Sequence, residues 1–289
     1  MHGSGSVATR YFAGCFFRFF LLALPAAEAA QPLAVLDLAA DGGRSYRVEV
    51  RRPPVLPPSA GYPVLYLLDG NAALTSLPED VTGRVLIVAI GHHGSSRFDV
   101  AGRVFDFTPA LTGGDEFDPL VPARRAGGAQ AFAAFIERRV KPAVAAVYPV
   151  DASRQGLWGH SYGGLFVLHT LLTRPADFRC YAAASPSLWW RDGYLPRLAQ
   201  STPPAARQTA SLLVTRGGAE MPAQAPQGDP RALAAWRLRN SVPADAAATF
   251  AAAHPGPAEY LELPGLNHGE AFAASLAPTL AWFARCIEE

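Results

Sequence analysis

The chain has 289 residues, of which 50% are hydrophobic and 17% are charged, so it has ample apolar material for the core of one large domain. Its net charge of +1 at pH 7 creates no strong field toward nucleic acid or an acidic surface. The spacing of its Cys and His residues matches no zinc site, and we expect neither a metal ion nor an organic cofactor.

The first 29 residues have the pattern of a secretory signal peptide. Arg10 and Arg18 precede the apolar stretch Phe19–Leu24, and Ala27-Glu28-Ala29 fits a small-residue cleavage site. The apolar stretch is far shorter than the roughly 20 residues that span a bilayer. We therefore predict export to the periplasm and a mature monomeric domain, residues 30–289, without stable membrane insertion. Retention of the leader as a membrane anchor is the alternative.

The mature chain begins with a predicted hairpin. Val35–Leu38 and Tyr46–Arg51 flank Asp41-Gly42-Gly43, a tripeptide typical of a hairpin turn. Two apolar runs follow, Val64–Leu68 and Val85–Ile90, and their composition predicts strands buried on both faces.

Helices and strands alternate over the rest of the chain. Apolar spacing over 130–147 predicts a helix that Pro142 kinks or divides into two segments. The other predicted strands are Gln155–Trp158, Tyr181–Ala184, Leu212–Thr215 and Glu259–Leu263, and the other predicted helices are 163–173 and Ala271–Cys286. The stretch 217–257 indicates only one or two helices among mobile loops. This alternation predicts an α/β fold with one mostly parallel sheet and helices on both faces.

Two cysteines, Cys180 and Cys286, remain after removal of a leader that contains Cys15. Their separation in sequence does not reveal the distance between their Cα atoms. We expect two buried free thiols, with a disulfide as the alternative.

One motif carries nucleophilic chemistry. Gly159-His160-Ser161-Tyr162-Gly163 reads G-x-S-x-G and lies between a predicted strand and a predicted helix. That context is the nucleophile elbow of the α/β-hydrolase fold, in which the flanking glycines let backbone segments pass closely. We predict Ser161 as the nucleophile, with an ordinary structural turn as the alternative.

A serine nucleophile needs a base, and in this fold the base is a histidine late in the chain. His268 follows the last predicted strand, at the sheet edge where such sites gather. We predict His268 as the base and expect packing or surface roles for His169 and His254. A loop-capping role for His268 is the alternative.

The acid that orients the base is expected after the strand Leu212–Thr215. Glu220 is the first candidate, and Asp229 and Asp245 compete with it. Each of these carboxylates is alternatively a solvated loop residue, which leaves a Ser-His dyad open.

Two backbone donors are expected to bind the oxyanion. The N–H of Tyr162 follows the nucleophile, and the second donor is the N–H of Gly70 or Asn71, after the first central strand. The alternative for Asp69-Gly70-Asn71 is an ordinary turn.

The chain resembles the siderophore esterases of the α/β-hydrolase superfamily, which cleave the trilactones of enterobactin and salmochelin. The matching segments are Tyr62-Pro63-Val64-Leu65-Tyr66-Leu67-Leu68-Asp69-Gly70-Asn71, Arg103-x-x-Asp106-Phe107-Thr108-Pro109, Gly159-His160-Ser161-Tyr162-Gly163-Gly164, Ala184-Ser185-Pro186-Ser187-Leu188-Trp189-Trp190 and Asn267-His268-Gly269. The resemblance implies that Ser161 and His268 are catalytic and that Arg103 contacts a catecholate. Gly218 departs from the family, which often has a Glu there, and this puts the third catalytic residue in doubt.

The resemblance also implies an exported serine esterase acting on a small-molecule ester, most specifically a ferric catecholate siderophore. Trp189 and Trp190 are expected either to wall the substrate pocket or to form a buried aromatic cluster. Esterases for feruloyl or other acyl esters, S-formylglutathione hydrolases and acyltransferases share the fold and remain alternatives.

Overall fold

The computed structural model describes Met1 and residues 34–77, 83–94, 96–111, 116–221 and 224–288. Apart from Met1, the predicted leader, residues 1–29, lies outside the described residues, and so does the signal-peptide prediction. In the part that is described, no helix combines the length and the apolar character needed to cross a membrane.

The core of the described chain is a sheet with the strand order β1-β2-β4-β3-β7-β8-β9-β10. Its strands are β1 (Ala34–Ala39), β2 (Ser45–Arg51), β3 (Tyr62–Leu67), β4 (Leu86–His92), β7 (Val150–His160), β8 (Cys180–Ala184), β9 (Ser211–Gly217) and β10 (Ala258–Leu263). A separate small pair consists of β5 (Glu116–Phe117) and β6 (Arg125–Ala126).

The pairing pattern confirms the predicted hairpin and the mostly parallel sheet. Strands β1 and β2 are antiparallel, and β2 is antiparallel to β4. The remaining neighbours, from β4 to β10, are parallel. Gly42 and Gly43 adopt φ values of 87° and 81°, the left-handed conformation that a tight hairpin requires.

Alternate side chains of the central strands pack into two apolar layers, one on each face of the sheet. In β3, Val64 and Tyr66 join the core on one face, whereas Leu65 and Leu67 join the core on the other. Helices cover both faces, as the apolar runs predict. The helices are α1 (Gly70–Ser76), α2 (Val100–Phe107), α3 (Ala129–Phe135), α4 (Lys141–Val147), α5 (Tyr162–Thr173), α6 (Tyr194–Ser201), α7 (Pro230–Arg239), α8 (Ala246–Ala252), α9 (Glu270–Ala274) and α10 (Leu276–Cys286).

Pro142 divides the predicted helix over 130–147 into segments. A π-helical turn, Ile136–Val140, separates α3 from α4, and Pro142 lies in the first turn of α4. A proline in a helix interior removes one backbone hydrogen bond, and the wider turn before it accommodates that loss.

Cys180 and Cys286 form a disulfide, so the expectation of two free thiols is wrong. The end of α10 packs against the start of β8, where the Arg179 Nε donates a hydrogen bond to the Cys286 carbonyl oxygen at 3.1 Å. This packing brings the two Cα atoms to 6.4 Å, although 106 residues separate them in sequence. Both side chains are buried.

The strand order reverses between β3 and β7. From β3 the chain moves outward to β4, and it returns to the other side of β3 with β7. A crevice forms at such a switch point, outside the carboxyl ends of the strands, and ligands bind there in open α/β sheets. The loops after β3, β7, β9 and β10 carry the residues predicted to be catalytic or to bind the oxyanion, and these loops border the crevice.

Candidate active site

Ser161 lies on a sharp turn between β7 and α5. Its backbone has φ 61° and ψ −114°, a strained combination that costs about 1–3 kcal/mol. The Ser161 N–H donates to the Ala184 carbonyl oxygen, and the Ser161 carbonyl accepts from the Leu165 N–H, each at 2.9 Å. The predicted elbow geometry is therefore present, and it is held from both sides.

Close packing at the elbow depends on Gly159 and Gly164. A Cβ atom on Gly159 would lie 2.5 Å from the Gly163 carbonyl oxygen, and one on Gly164 would lie 2.9 Å from the Ala184 carbonyl oxygen. A Cβ atom on Gly163 would meet nothing closer than 3.6 Å, which is ordinary contact. The steric requirement for glycine therefore includes Gly164, which lies outside the five-residue motif, and does not include Gly163, the last residue of the motif.

His268 reaches the hydroxyl of Ser161 from the loop after β10. Its Nε2 lies 3.0 Å from the Ser161 Oγ, within hydrogen-bond distance for proton transfer. The other two candidate histidines lie apart from this site. His169 is buried in α5 beside the Tyr194 hydroxyl, and burial lowers its pKa to about 4, while the His254 Nε2 bonds the Ala210 carbonyl oxygen.

Glu220 completes the arrangement from the turn after β9. Its Oε2 lies 3.1 Å from the His268 Nδ1, and its Oε1 accepts hydrogen bonds from the Ser185 hydroxyl and, at 2.7 Å, from the Gly217 N–H. The competing acids have other positions: the Asp229 side chain caps α7, and Asp245 precedes α8.

The environment of Glu220 favours its ionised form. Burial alone would raise the pKa of this carboxyl, but the hydrogen bond and charge of His268, followed by the Ser185 and Gly217 donors, hold it below its usual value. An ionised Glu220 can only accept, so the His268 Nδ1 carries a proton and the Nε2 is left to accept from Ser161.

The predicted oxyanion donors lie at the starts of two helices. Tyr162 is the first residue of α5 and Gly70 the first of α1, and N–H groups in a first helical turn have no intrahelical acceptor. Gly70 packs so closely on β4 that a Cβ atom would lie 2.8 Å from the Ile90 carbonyl carbon. The Asn71 side chain donates to three carbonyl oxygens at the end of β4 and in the loop after it: His92, Gly94 and Ser96.

Arg103 lies next to this site, 3.3 Å from the His160 carbonyl oxygen. Its Nε and Nη2 atoms each donate a 2.9 Å hydrogen bond to the Asp69 carboxylate, and its side chain is only 13% exposed. Burial acts to lower the Arg103 pKa, but Asp69 outweighs it and the net shift is upward, so the guanidinium stays charged. Arg103 is absent from the residues that line the cleft beside His268.

The two tryptophans differ in position. Trp189 lines the cleft beside His268, although it is only 7% exposed and also packs in the apolar core. Trp190 is fully buried, with an edge-on contact to Tyr194, and so belongs to the buried aromatic cluster that was one of the two expectations.

Two polar residues of the site lie in segments that carry the resemblance, but the sequence assigned no role to either. Ser185 follows β8 with φ 44° and bonds Glu220. The His160 Nε2 lies 2.9 Å from the His268 carbonyl oxygen, and burial followed by the charges of His268 and Arg103 lowers the His160 pKa well below its usual value. The neutral His160 ring donates this bond, because a carbonyl oxygen only accepts, and it fixes the loop of His268.

Two arginines give the cleft positive charge. Arg216 and Arg239 line it together with the apolar side chains of Leu188, Trp189 and Val242.

Within the described part of the chain, no group of three or more His, Cys, Asp or Glu residues is placed to hold a metal ion.

Comparisons with known proteins agree with this architecture. A family model described as "Putative esterase" matches residues 40–283. An apo-salmochelin esterase of Escherichia coli O6:H1 is 35% identical over 247 residues, which cover 83% of this chain and 75% of that protein. A ferri-bacillibactin esterase of Bacillus subtilis is 38% identical over 171 residues, 53% of this chain and 57% of that protein.

Solved structures extend the match to the fold. The enterobactin and salmochelin hydrolase IroE superposes with a TM-score of 0.69 at 30% identity, covering 87% of this chain and 94% of that one. The fold and the resemblance predicted from the sequence are both confirmed by these matches.

Proposed function

The chain belongs to this esterase family, and on that premise we propose that it is a serine esterase that hydrolyses catecholate siderophore trilactones through an acyl-enzyme. The observation that carries the proposal is the position of His268, 3.0 Å from the Ser161 Oγ and 3.1 Å from the Glu220 carboxylate.

In the proposed mechanism the Ser161 oxygen attacks the ester carbonyl carbon while the His268 Nε2 takes the hydroxyl proton. Glu220 stabilises the imidazolium that forms. The N–H groups of Tyr162 and of Gly70 or Asn71 donate to the oxyanion. Collapse of the intermediate breaks the ester C–O bond, and His268 returns the proton to the leaving alkoxide. Water then attacks the acyl-enzyme by the same steps and releases the acid.

Exposure of the base supports hydrolysis over acyl transfer. The His268 side chain is 31% exposed, so the ring that would activate water is accessible to solvent. An acyltransferase must shield its acyl-enzyme from water, and the open cleft beside His268 gives no such shield.

The cleft supports an anionic aromatic acyl group as the substrate. Trp189 presents an aromatic surface, and guanidinium groups pair well with anionic catecholate oxygens. Arg216 also bonds the Ala244 carbonyl oxygen, whereas the Arg239 side chain has no hydrogen bond or ion pair with any described residue. Relatives that are named as siderophore esterases support a siderophore ester as the substrate.

We predict that Arg239→Ala raises KM for enterobactin about tenfold, because a charge-assisted hydrogen bond is lost, and changes KM for p-nitrophenyl acetate less than twofold. Arg237→Ala, which removes the same charge from the same helix outside the cleft, is the matched control and should leave both values unchanged. An equal rise in KM on both esters, or an equal rise in both variants, would contradict a contact between Arg239 and the substrate.

The same assay tests the substrate class. Wild-type kcat/KM should be highest for enterobactin among enterobactin, a feruloyl ester and S-formylglutathione. A higher value for either of the other two would assign the chain to that class of esterase instead.

We also propose that the protein is exported to the periplasm after cleavage near Ala29. The buried Cys180–Cys286 disulfide supports this, because such bonds persist in oxidising compartments. N-terminal sequencing of protein from the periplasmic fraction tests the cleavage, and a full-length chain in the membrane fraction would favour the anchor.

The disulfide should contribute strongly to stability. We predict that Cys180→Ala/Cys286→Ala lowers the free energy of unfolding by about 2–5 kcal/mol, because closing a loop of this length restricts the unfolded chain. Urea titration measures this value. Wild-type protein under reducing conditions is the control without a mutation, and it should match the variant. An unchanged midpoint after complete reduction would contradict the prediction.

A further inference from the structure

One buried ion pair fastens the loop that carries a proposed oxyanion donor to helix α2. Asp69 directly precedes Gly70, and its carboxylate accepts both hydrogen bonds of the Arg103 fork at 2.9 Å. The two side chains are 1% and 13% exposed, so water does not compete with this pairing. Asp69 has φ 51°, a left-handed conformation that is uncommon for a residue with a side chain and that surrounding contacts must hold.

The same guanidinium also reaches the nucleophile elbow. The Arg103 Nη2 lies 3.3 Å from the carbonyl oxygen of His160, the residue before Ser161. A single planar group therefore spans the end of β3 and the end of β7. Tyr162, which carries the other proposed donor, follows Ser161 directly.

The helix that carries Arg103 is itself fixed to the sheet. Asp106, one turn further along α2, accepts a 2.9 Å hydrogen bond from the Tyr46 hydroxyl and lies 2.7 Å from the His92 Nε2. Asp106 is buried, and these partners lie on β2 and β4. Arg103 thus projects from an anchored element rather than from a free loop.

We propose that Arg103 is a positioning residue, which sets the distance between the oxyanion donors on the two loops through Asp69 and the His160 carbonyl. This inference rests on the serine-esterase function proposed above. An oxyanion hole tolerates displacements of only about half an ångström, so a shift of either loop weakens its hold on the transition state. The effect is independent of which acyl group is bound.

A positioning role for Arg103 and a direct contact with catecholate predict different kinetic effects. A residue that binds catecholate raises KM for the trilactone and leaves a small neutral ester untouched. A residue that sets the oxyanion donors lowers kcat for every ester, with little change in KM.

The experiment measures kcat and KM on p-nitrophenyl acetate, which has no charged group for Arg103 to bind. We expect Arg103→Lys, Arg103→Ala and Asp69→Asn each to lower kcat about 10- to 100-fold, with KM within about threefold of wild type. Guanidinium ion in the millimolar range should restore at least a tenth of the lost kcat in Arg103→Ala, and equal concentrations of sodium chloride or urea should not.

Arg207→Ala is the matched control for lost stability. Arg207 is also largely shielded from water, and it bonds the carbonyl oxygens of Ala199 and Thr202, away from Ser161. It should lower the thermal midpoint and leave kcat unchanged. Should Arg103→Ala fail to fold, Arg103→Lys and Asp69→Asn still decide the matter.

Wild-type kcat on p-nitrophenyl acetate in the folded Arg103 and Asp69 variants would overturn the proposal. An effect confined to a higher KM for enterobactin would also overturn it. Either result leaves the serine mechanism intact, because the Ser161→Ala variant tests that mechanism separately. Turnover by Ser161→Ala would instead remove the function on which the proposal rests.

Discussion

Ser161→Ala should abolish ester hydrolysis while leaving the protein folded. We expect kcat to fall by about 10⁴- to 10⁶-fold, because no other group can form the acyl-enzyme, and the oxyanion donors supply only residual catalysis. The Ser161 hydroxyl contacts His268 and, at 3.5 Å, the Ser187 hydroxyl, so its removal takes away little packing. The measurement is p-nitrophenyl acetate turnover together with the thermal midpoint.

Ser153→Ala is the matched control, since it removes a hydroxyl from the same strand, where Ser153 bonds Asp151 at the end remote from the site. It should retain wild-type kcat. Retained turnover in folded Ser161→Ala protein would show that Ser161 is not the nucleophile.

Glu220→Gln should slow catalysis by about 10²- to 10⁴-fold in kcat. A glutamine can offer its NH₂ group to the His268 Nδ1, which favours the wrong tautomer, and it cannot stabilise an imidazolium. The substitution keeps the shape of the side chain, so binding, and therefore KM, should change little. Turnover of p-nitrophenyl acetate at saturating concentration measures the effect.

The other two acidic candidates provide controls for Glu220. Asp229→Asn and Asp245→Asn remove one carboxylate each, in loops near helix starts, and kcat should stay within about twofold. A near-wild-type rate for Glu220→Gln would instead establish a Ser-His dyad.

Glu220 also has a pH signature. Its pKa in the folded protein lies below the usual value, so its contribution to stability is complete above the pKa of an unfolded Glu and is lost as the pH falls through the lowered folded value. The difference in stability between wild type and Glu220→Gln should be constant near neutral pH and shrink in acid.

The sequence predicted the parts of the site that depend on strand ends. Loops that follow parallel strands lie at one edge of the sheet, so Ser161 and His268 were predicted once the strands were recognised, whereas Glu220 was one of three acidic candidates. The comparisons confirm the fold and the family, and the catalytic roles of these three residues stay predictions that the variants above test.

Other features depend on packing between distant segments, which a pattern of residues does not encode. The Cys180–Cys286 pairing follows from the way α10 meets β8. The pairing of Arg103 with Asp69 joins residues 34 positions apart, and neither residue indicates the other in the sequence. Ser185 becomes a partner of Glu220 only because β8 and β9 are neighbours in the sheet.

The most direct test of the account is to label the wild-type protein with a fluorophosphonate ester and map the adduct by peptide mass spectrometry. Such a reagent transfers its phosphonyl group to an activated serine with loss of fluoride. We predict one adduct, on Ser161, at a rate that Glu220→Gln lowers and that His268→Ala nearly abolishes. A stoichiometric adduct on another residue, or an unlabelled Ser161 in protein that hydrolyses esters, would contradict it.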